Sequence, residues 1–291
     1  MEPPALLQPL VQPVWQTSRF RIDLSRPRVM GIVNLTPDSF SDGGVHQGRI
    51  AGLAHCERLI AEGADILDLG GESTRPGAPE IGLAEEMDRV MPVLEGALQL
   101  GVPVSVDTRK PELMRAALAA GADIVNDVNA LRAPGALEAV ATHPACGVCL
   151  MHMRGTPETM QQQAVYADVV SEVAAFLRER CAALEQAGVS AQRITIDPGV
   201  GFGKSAEHNL ELLQRQGELL ALGKPLLVGW SRKSTLGVVA RRAVGERLGS
   251  SVAAALIAVQ RGARIVRVHD VAATADALVL WQRVEEGPSR G

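Results

Sequence analysis

Asp107, Asn126 and Asp197 each stand at the end of a short apolar run, after residues 104–106, 124–125 and 194–196. A carboxylate offers two acceptors spaced to receive paired N–H donors, and an amide can give and accept at once. Gathered in one place, the three suit a small heterocycle with an amino-amidine edge. Taken singly, an Asp that ends a strand also caps the helix that follows. Metal ligation is a rival role for the two carboxylates, although no His-rich cluster accompanies them. Ser231-Arg232-Lys233-Ser234, Arg267 and His269 add positive charge and hydroxyls at the ends of later runs. Arg267 interrupts the run 265–268 two residues before His269, so on a strand both point to the same side. An Arg and a His on one spot read as an anion site, to which Thr74-Arg75 could add; the plainer reading is a solvated basic patch. Arg241 and Arg242 read as surface. The Asn34 amide oxygen could ligate a hard cation such as Mg²⁺, which needs few protein ligands when phosphate supplies the rest. An ordinary turn with Asx hydrogen bonds is the alternative there, since Pro37-Asp38 and Gly43-Gly44 follow.

Two other patterns attract chemical readings. Gly199-Val200-Gly201-Phe202-Gly203-Lys204-Ser205 resembles a phosphate-binding loop, but Pro198 stands where the first Gly belongs and has no N–H to offer. Cys146-Gly147-Val148-Cys149 is formally a C-x-x-C pair, yet Cys56 and Cys181 sit alone in helical patterns at no zinc spacing. Cys149 is therefore expected inside a buried strand, packing as a small hydrophobe.

The elements that must position these residues recur eight times. Apolar runs at 29–33, 66–69, 104–106, 124–125, 148–151, 194–196, 226–228 and 265–268 each end in a polar cluster. Helical patterns fall at about 49–62, 80–100, 111–120, 136–142, 165–187, 206–221, 246–261 and 271–284. Strands alternating with helices imply parallel pairing, and eight units close into a (β/α)8 TIM barrel whose strand C-termini form the active face. Gly63-Ala64-Asp65-Ile66, Gly121-Ala122-Asp123-Ile124 and Gly262-Ala263-Arg264-Ile265 are near copies, each closing a helix with a left-handed glycine and opening a strand. Alternating Phe20, Ile22 and Leu24 imply a small hairpin or arm before the barrel. The chain thus reads as one α/β domain over 27–285, with an N-terminal arm at 1–26 and a tail at 286–291. Loops 36–47 and 70–79 are long enough to be lids.

Composition excludes several classes. The 291 residues are 46% hydrophobic and 21% charged, with a net charge of −4, which calls for neither nucleic acid nor membrane. Aromatics at 3% disfavour base-stacking platforms. Residues 1–15 have no basic segment followed by a continuous apolar one, so no signal peptide is read and a cytoplasmic location is expected.

The residues that end these runs resemble those of the dihydropteroate synthase family. The resemblance is carried by Met30-Gly31-Ile32-Val33-Asn34-Leu35-Thr36-Pro37-Asp38-Ser39-Phe40-Ser41-Asp42-Gly43-Gly44 and Asp68-Leu69-Gly70-Gly71-Glu72-Ser73-Thr74-Arg75-Pro76-Gly77. It continues through Ser105-Val106-Asp107-Thr108, Ile124-Val125-Asn126-Asp127, Leu150-Met151-His152-Met153, Asp197-Pro198-Gly199, Ser231-Arg232-Lys233-Ser234 and Arg267-Val268-His269-Asp270-Val271. It runs in order from about residue 29 to 278.

The resemblance implies a transferase of folate biosynthesis. It would condense 6-hydroxymethyl-7,8-dihydropterin pyrophosphate with p-aminobenzoate, giving 7,8-dihydropteroate and pyrophosphate with the help of Mg²⁺. Asp107, Asn126, Met151, Asp197 and Lys233 would hold the pterin. Thr74, Arg267 and His269 would hold the pyrophosphate, with Asn34 on the Mg²⁺. Phe40, Thr74, Arg75, Pro76, Phe202 and Ser234 would border the aminobenzoate. Asn34, Lys233, Arg267 and a protonated His269 would then assist catalysis, and a homodimer would form through helices away from the mouth. Val200, Trp230 and Leu35 depart from common family residues, which implies altered packing near the aminobenzoate. Two rivals share the pterin-holding residues: a pterin-binding methyltransferase domain, which needs no pyrophosphate set, and a catalytically silent homologue.

Overall fold

The computed structural model describes residues 14–36, 44–73, 77–156, 159–160 and 164–287. Two short strands, β1 (Val14–Gln16) and β2 (Arg21–Asp23), pair antiparallel as the expected hairpin. The barrel strands follow: β3 (Arg28–Asn34), β4 (Ile66–Gly70), β5 (Val104–Asp107), β6 (Ile124–Asp127), β7 (Gly147–Met151), β8 (Ile194–Asp197), β9 (Leu227–Val228) and β10 (Ile265–Val268). They pair parallel in the order β8-β7-β6-β5-β4-β3-β10-β9. A parallel bridge from Ile196 to Leu226 joins the two ends and closes the barrel. The helices around it are α1 (Gly44–Ala61), α2 (Leu83–Ala97), α3 (Pro111–Ala120), α4 (Ala136–Ala141), α5 (Val169–Gln186), α6 (Ala206–Gln214), α7 (Ser234–Ala240), α8 (Leu248–Gln260) and α9 (Val271–Glu286). The short helix α7 adds to the helices expected from periodicity. Residues 216–222, expected to continue α6, form a separate 3₁₀ turn.

The period of two along each strand sorts the side chains. Val29, Leu67, Leu69, Val106, Val125, Leu150, Ile196 and Val268 join one large cluster that includes helix residues such as Leu59, Leu94, Met114 and Leu177. Met30, Ile66, Ile124, Cys149, Leu227 and Ile265 form a second cluster inside the barrel. Trp15, Ile22 and Leu24 of the N-terminal hairpin belong to that inner cluster and plug the N-terminal end. The Trp15 indole N–H donates to the Arg193 carbonyl at 2.9 Å, so the plug leaves no indole donor unpaired. Cys149 faces inward as expected, and all four cysteines are free and buried.

The repeated Gly-Ala-Asp has a mechanical meaning. Gly63 and Gly121 carry φ of 102° and 109°, ending their helices in the left-handed region. Two residues on, Asp65 accepts the Val29 backbone N–H and Asp123 accepts that of Val104, both at 2.9 Å. Each Asp thereby satisfies the entry of the neighbouring strand. Above the inner apolar layer the same inward parity gives Asn34, Asp68, Asp107, Asn126, Met151, Asp197, Arg267 and His269. One face of the alternation is thus hydrophobic at the closed end and polar at the open one.

Candidate active site

At the C-terminal mouth Asn34, Asp107, Asn126, Met151, Asp197, Arg267 and His269 line one cavity of about 610 Å³, together with Phe202, Lys233 and Ser234, while Asp68 touches Arg267 and Asn126 without lining it. The two acids lie on one side of the molecule, and Arg267 and His269 face the same space. Met151 and Phe202 cluster with Val128, Met153 and Met160 and give the cavity an apolar wall. Opposite charges meet at its floor. Arg267 Nε donates to Asp68 Oδ2 at 2.6 Å, and Arg267 Nη2 donates to Asp107 Oδ2 at 2.7 Å. The Asn126 amide donates to the same Asp68 oxygen at 3.2 Å. Arg267 is thus not an isolated anion receptor: it grips the carboxylate assigned to the heterocycle.

Burial sets the charge states. It pushes Asp107 up to about 7 against the pull of Arg267, and Asp197 up to about 6 against the Gly199 N–H that Asp197 accepts at 2.7 Å. Burial works against the charge of Arg267, but Asp68 and Asp107 outweigh it and hold the guanidinium above its ordinary range. Burial and the nearby Arg267 lower Lys233 to about 8. The Lys233 ammonium lies 4.1 Å from the Phe202 ring centroid, which partly replaces its lost water.

His269 departs from expectation. Burial and Arg267 drive its imidazole down to about 3, so the protonated form is absent near neutrality. Ser231 Oγ accepts the His269 backbone N–H at 3.1 Å and lies 3.0 Å from Nδ1. That hydroxyl has both a lone pair and a proton to offer, so it pairs with Nδ1 in either neutral tautomer of the ring. In the free cavity His269 is therefore a neutral imidazole with one ring N–H to offer.

The glycine-rich loop after β8 holds itself, not a phosphate. The Lys204 ammonium is buried and donates to the carbonyls of Gly199 (2.9 Å) and Phe202 (3.0 Å) and to His152 Nδ1 (2.9 Å). Gly199 has φ of 67°, and a Cβ there would stand 1.9 Å from the His152 carbonyl oxygen. Only glycine permits that approach. The next helix is closed by its own capping box of Ser205 and His208.

Asp68 and Lys204 are the site residues that sequence reasoning did not assign a role. The signal for Asp68 was a single acid inside an apolar run, matched by the single Arg267 in another. Val200 lines the cavity, whereas Trp230 is buried in the large outer cluster. Phe40, Thr74, Arg75 and Pro76 lie outside the described residues. Among the described residues no group of three or more His, Cys, Asp or Glu gathers for a metal.

Residues 30–269 match the family model described as pterin binding enzyme. The dihydropteroate synthase of Neisseria meningitidis serogroup B is 55% identical over 275 residues, 92% of this chain and 96% of that protein. The Xanthomonas albilineans dihydropteroate synthase solved with 4-aminobenzoic acid superposes with a TM-score of 0.89 at 53% identity, covering 96% of this chain and all of that one. The Burkholderia cenocepacia dihydropteroate synthase complexed with 7,8-dihydropteroate gives a TM-score of 0.85 at 50% identity, over 94% and 96% of the two chains.

Proposed function

Because the chain belongs to the dihydropteroate synthase family of pterin-binding enzymes, we propose that the single mouth cavity holds both of its substrates, the pterin deep and the aminobenzoate outside it. The reaction joins 6-hydroxymethyl-7,8-dihydropterin pyrophosphate to p-aminobenzoate and yields 7,8-dihydropteroate and pyrophosphate. The observation that carries the reading is the convergence of Asp107, Asn126 and Asp197 with Lys233, Arg267 and His269 in one space.

Asp107, Asn126 and Asp197 take the N–H donors of the pterin, Met151 lies against its rings, and Phe202 borders the aminobenzoate. The bond from the pterin methylene to the pyrophosphate oxygen breaks, and its electron pair leaves with the pyrophosphate. Arg267 and His269 stabilise the charge that builds there, at a site where burial strengthens them. The amine lone pair of p-aminobenzoate forms the new carbon–nitrogen bond, and that nitrogen sheds one proton to water or to the departing pyrophosphate. An aniline nitrogen is unprotonated at neutral pH, so no strong general base is required. The apolar wall keeps away water that would compete for the methylene.

The donor set fits Mg²⁺ in one way only. Asn34 supplies a single neutral oxygen at the cavity, and the substrate pyrophosphate must supply the anionic ones, which is how this ion commonly binds. When bound, it neutralises charge on the leaving group. The same reading includes a homodimer, supported by exposed Val238, Val239, Leu248, Val279, Leu280 and Val284 on the neighbouring helices α7, α8 and α9. It also includes a cytoplasmic location, supported by four free cysteines. The test is pyrophosphate release measured with each substrate alone and with both. Release that needs both is expected; release from the pterin alone, or none, refutes the reading and separates it from methyl transfer and from silent binding.

A further inference from the structure

We propose that Asp68 is a positioning residue that dictates which atoms of Asn126 and Arg267 face the substrate; the proposal rests on the pterin reading of the cavity. Asp68 sits inside β4 with no exposed surface. One oxygen, Oδ2, takes both the Arg267 Nε–H at 2.6 Å and the Asn126 amide N–H at 3.2 Å. The other oxygen, Oδ1, has no protein partner, and neither has the hydroxyl of Ser105, its register partner on β5. A carboxylate kept for stability would use both oxygens, because a buried acceptor left open is costly. A broken local rule at such a place marks function.

The geometry shows what that function is. An Asn amide can present either its oxygen or its NH₂, and the two differ only by a flip. With Nδ2 drawn to Asp68, Oδ1 of Asn126 is the atom left for the cavity. Flipping it would set two oxygens against each other and cost the Asp68 hydrogen bond. Asn126 Oδ1 then joins the carboxylates of Asp107 and Asp197 as a third acceptor, so the floor selects a heterocycle edge made of N–H donors. Arg267 is fixed by the same atom. Its Nε is held by Asp68 and its Nη2 by Asp107, which leaves Nη1 as the nitrogen engaged by neither acid.

The test is a thermodynamic cycle read by calorimetry with 6-hydroxymethylpterin as the probe. Asp68→Ala is measured in the wild-type background and in Asn126→Ala/Arg267→Ala. Asp68→Ala should weaken the pterin by about tenfold or more in the first background, as expected for a lost charge-assisted hydrogen bond, and by under about threefold in the second. Asp68→Asn keeps an acceptor for both donors and should retain affinity within about threefold. The KM for p-aminobenzoate should stay unchanged in Asp68→Asn. Equal losses in both backgrounds overturn the proposal, as does an Asp68→Asn variant as weak as Asp68→Ala. If Asp68→Ala does not fold, Asp68→Asn in the two backgrounds decides, and a loss of tenfold or more in both overturns it. Failure of the wild-type protein to bind the pterin would instead refute the underlying reading of the cavity.

Discussion

Asp107 and Asp197 carry carboxyls that burial has brought near neutrality, to about 7 and about 6. A pterin that donates N–H bonds selects their ionised forms, so binding expels protons. Affinity is then full above the free-enzyme values and falls as the pH drops through them, by about tenfold per unit for each linked proton. Calorimetric titration with 6-hydroxymethylpterin between pH 5 and 8 should show this acid limb, and a flat profile would deny the carboxylates their role. Arg267→Ala has a second consequence at the same scale. Since Arg267 holds Asp107 at 2.7 Å, its removal should weaken pterin without pyrophosphate by about tenfold, and the pyrophosphate form further, because the anion contact is lost as well. Selective loss for the pyrophosphate form alone would show that Arg267 serves only the anion. The gathering of Asn34, Asp107, Asn126, Asp197, Arg267 and His269 was legible, because each stands at or near the C-terminal end of an apolar run and a barrel brings those ends to one mouth. The Asp68–Arg267 pair was not, since the two lie 199 residues apart and nothing local to either names the other. Nor was the neutral state of His269, which depends on burial that a sequence does not display.

At the scale of elements, the eight barrel strands were readable because each is buried on both faces and leaves a continuous apolar run. The helix α7 was missed: at seven residues, beginning Ser-Thr-Leu-Gly, it has too few turns to show a period. The loop from Gly199 to Lys204 has the composition of a nucleotide cradle, but Pro198 at its start already argued against one. Its lysine instead spends its ammonium on protein acceptors that fix Phe202 at the cavity wall. Gly199→Ala should therefore destabilise the protein by about 1–3 kcal/mol or more from left-handed strain and the clash with His152. It should also raise the KM for p-aminobenzoate, measured by steady-state kinetics. The hairpin plug belongs to stability alone. Trp15→Ala should cost about 3–5 kcal/mol in urea denaturation while both KM values hold, because Trp15 lies at the closed end of the barrel. A changed KM would show that the plug communicates with the mouth.

For the whole molecule, one end of the barrel is sealed with apolar side chains and the other is a charged cup. The outer faces of α7, α8 and α9 carry apolar residues that water does not favour. Sedimentation should give twice the chain mass, and Leu280→Glu should shift the protein toward the single-chain mass with the barrel intact by circular dichroism. A wild-type protein that sediments as one chain at micromolar concentration would remove the homodimer. The cup itself is tested most directly by a crystal structure of the protein with bound 7,8-dihydropteroate. The pterin ring is expected within hydrogen-bond distance of Asp107, Asn126 and Asp197, and the benzoate end beside Phe202 and Ser234. Density for the ligand elsewhere, or a pterin turned outward with its amino edge in solvent, would contradict it.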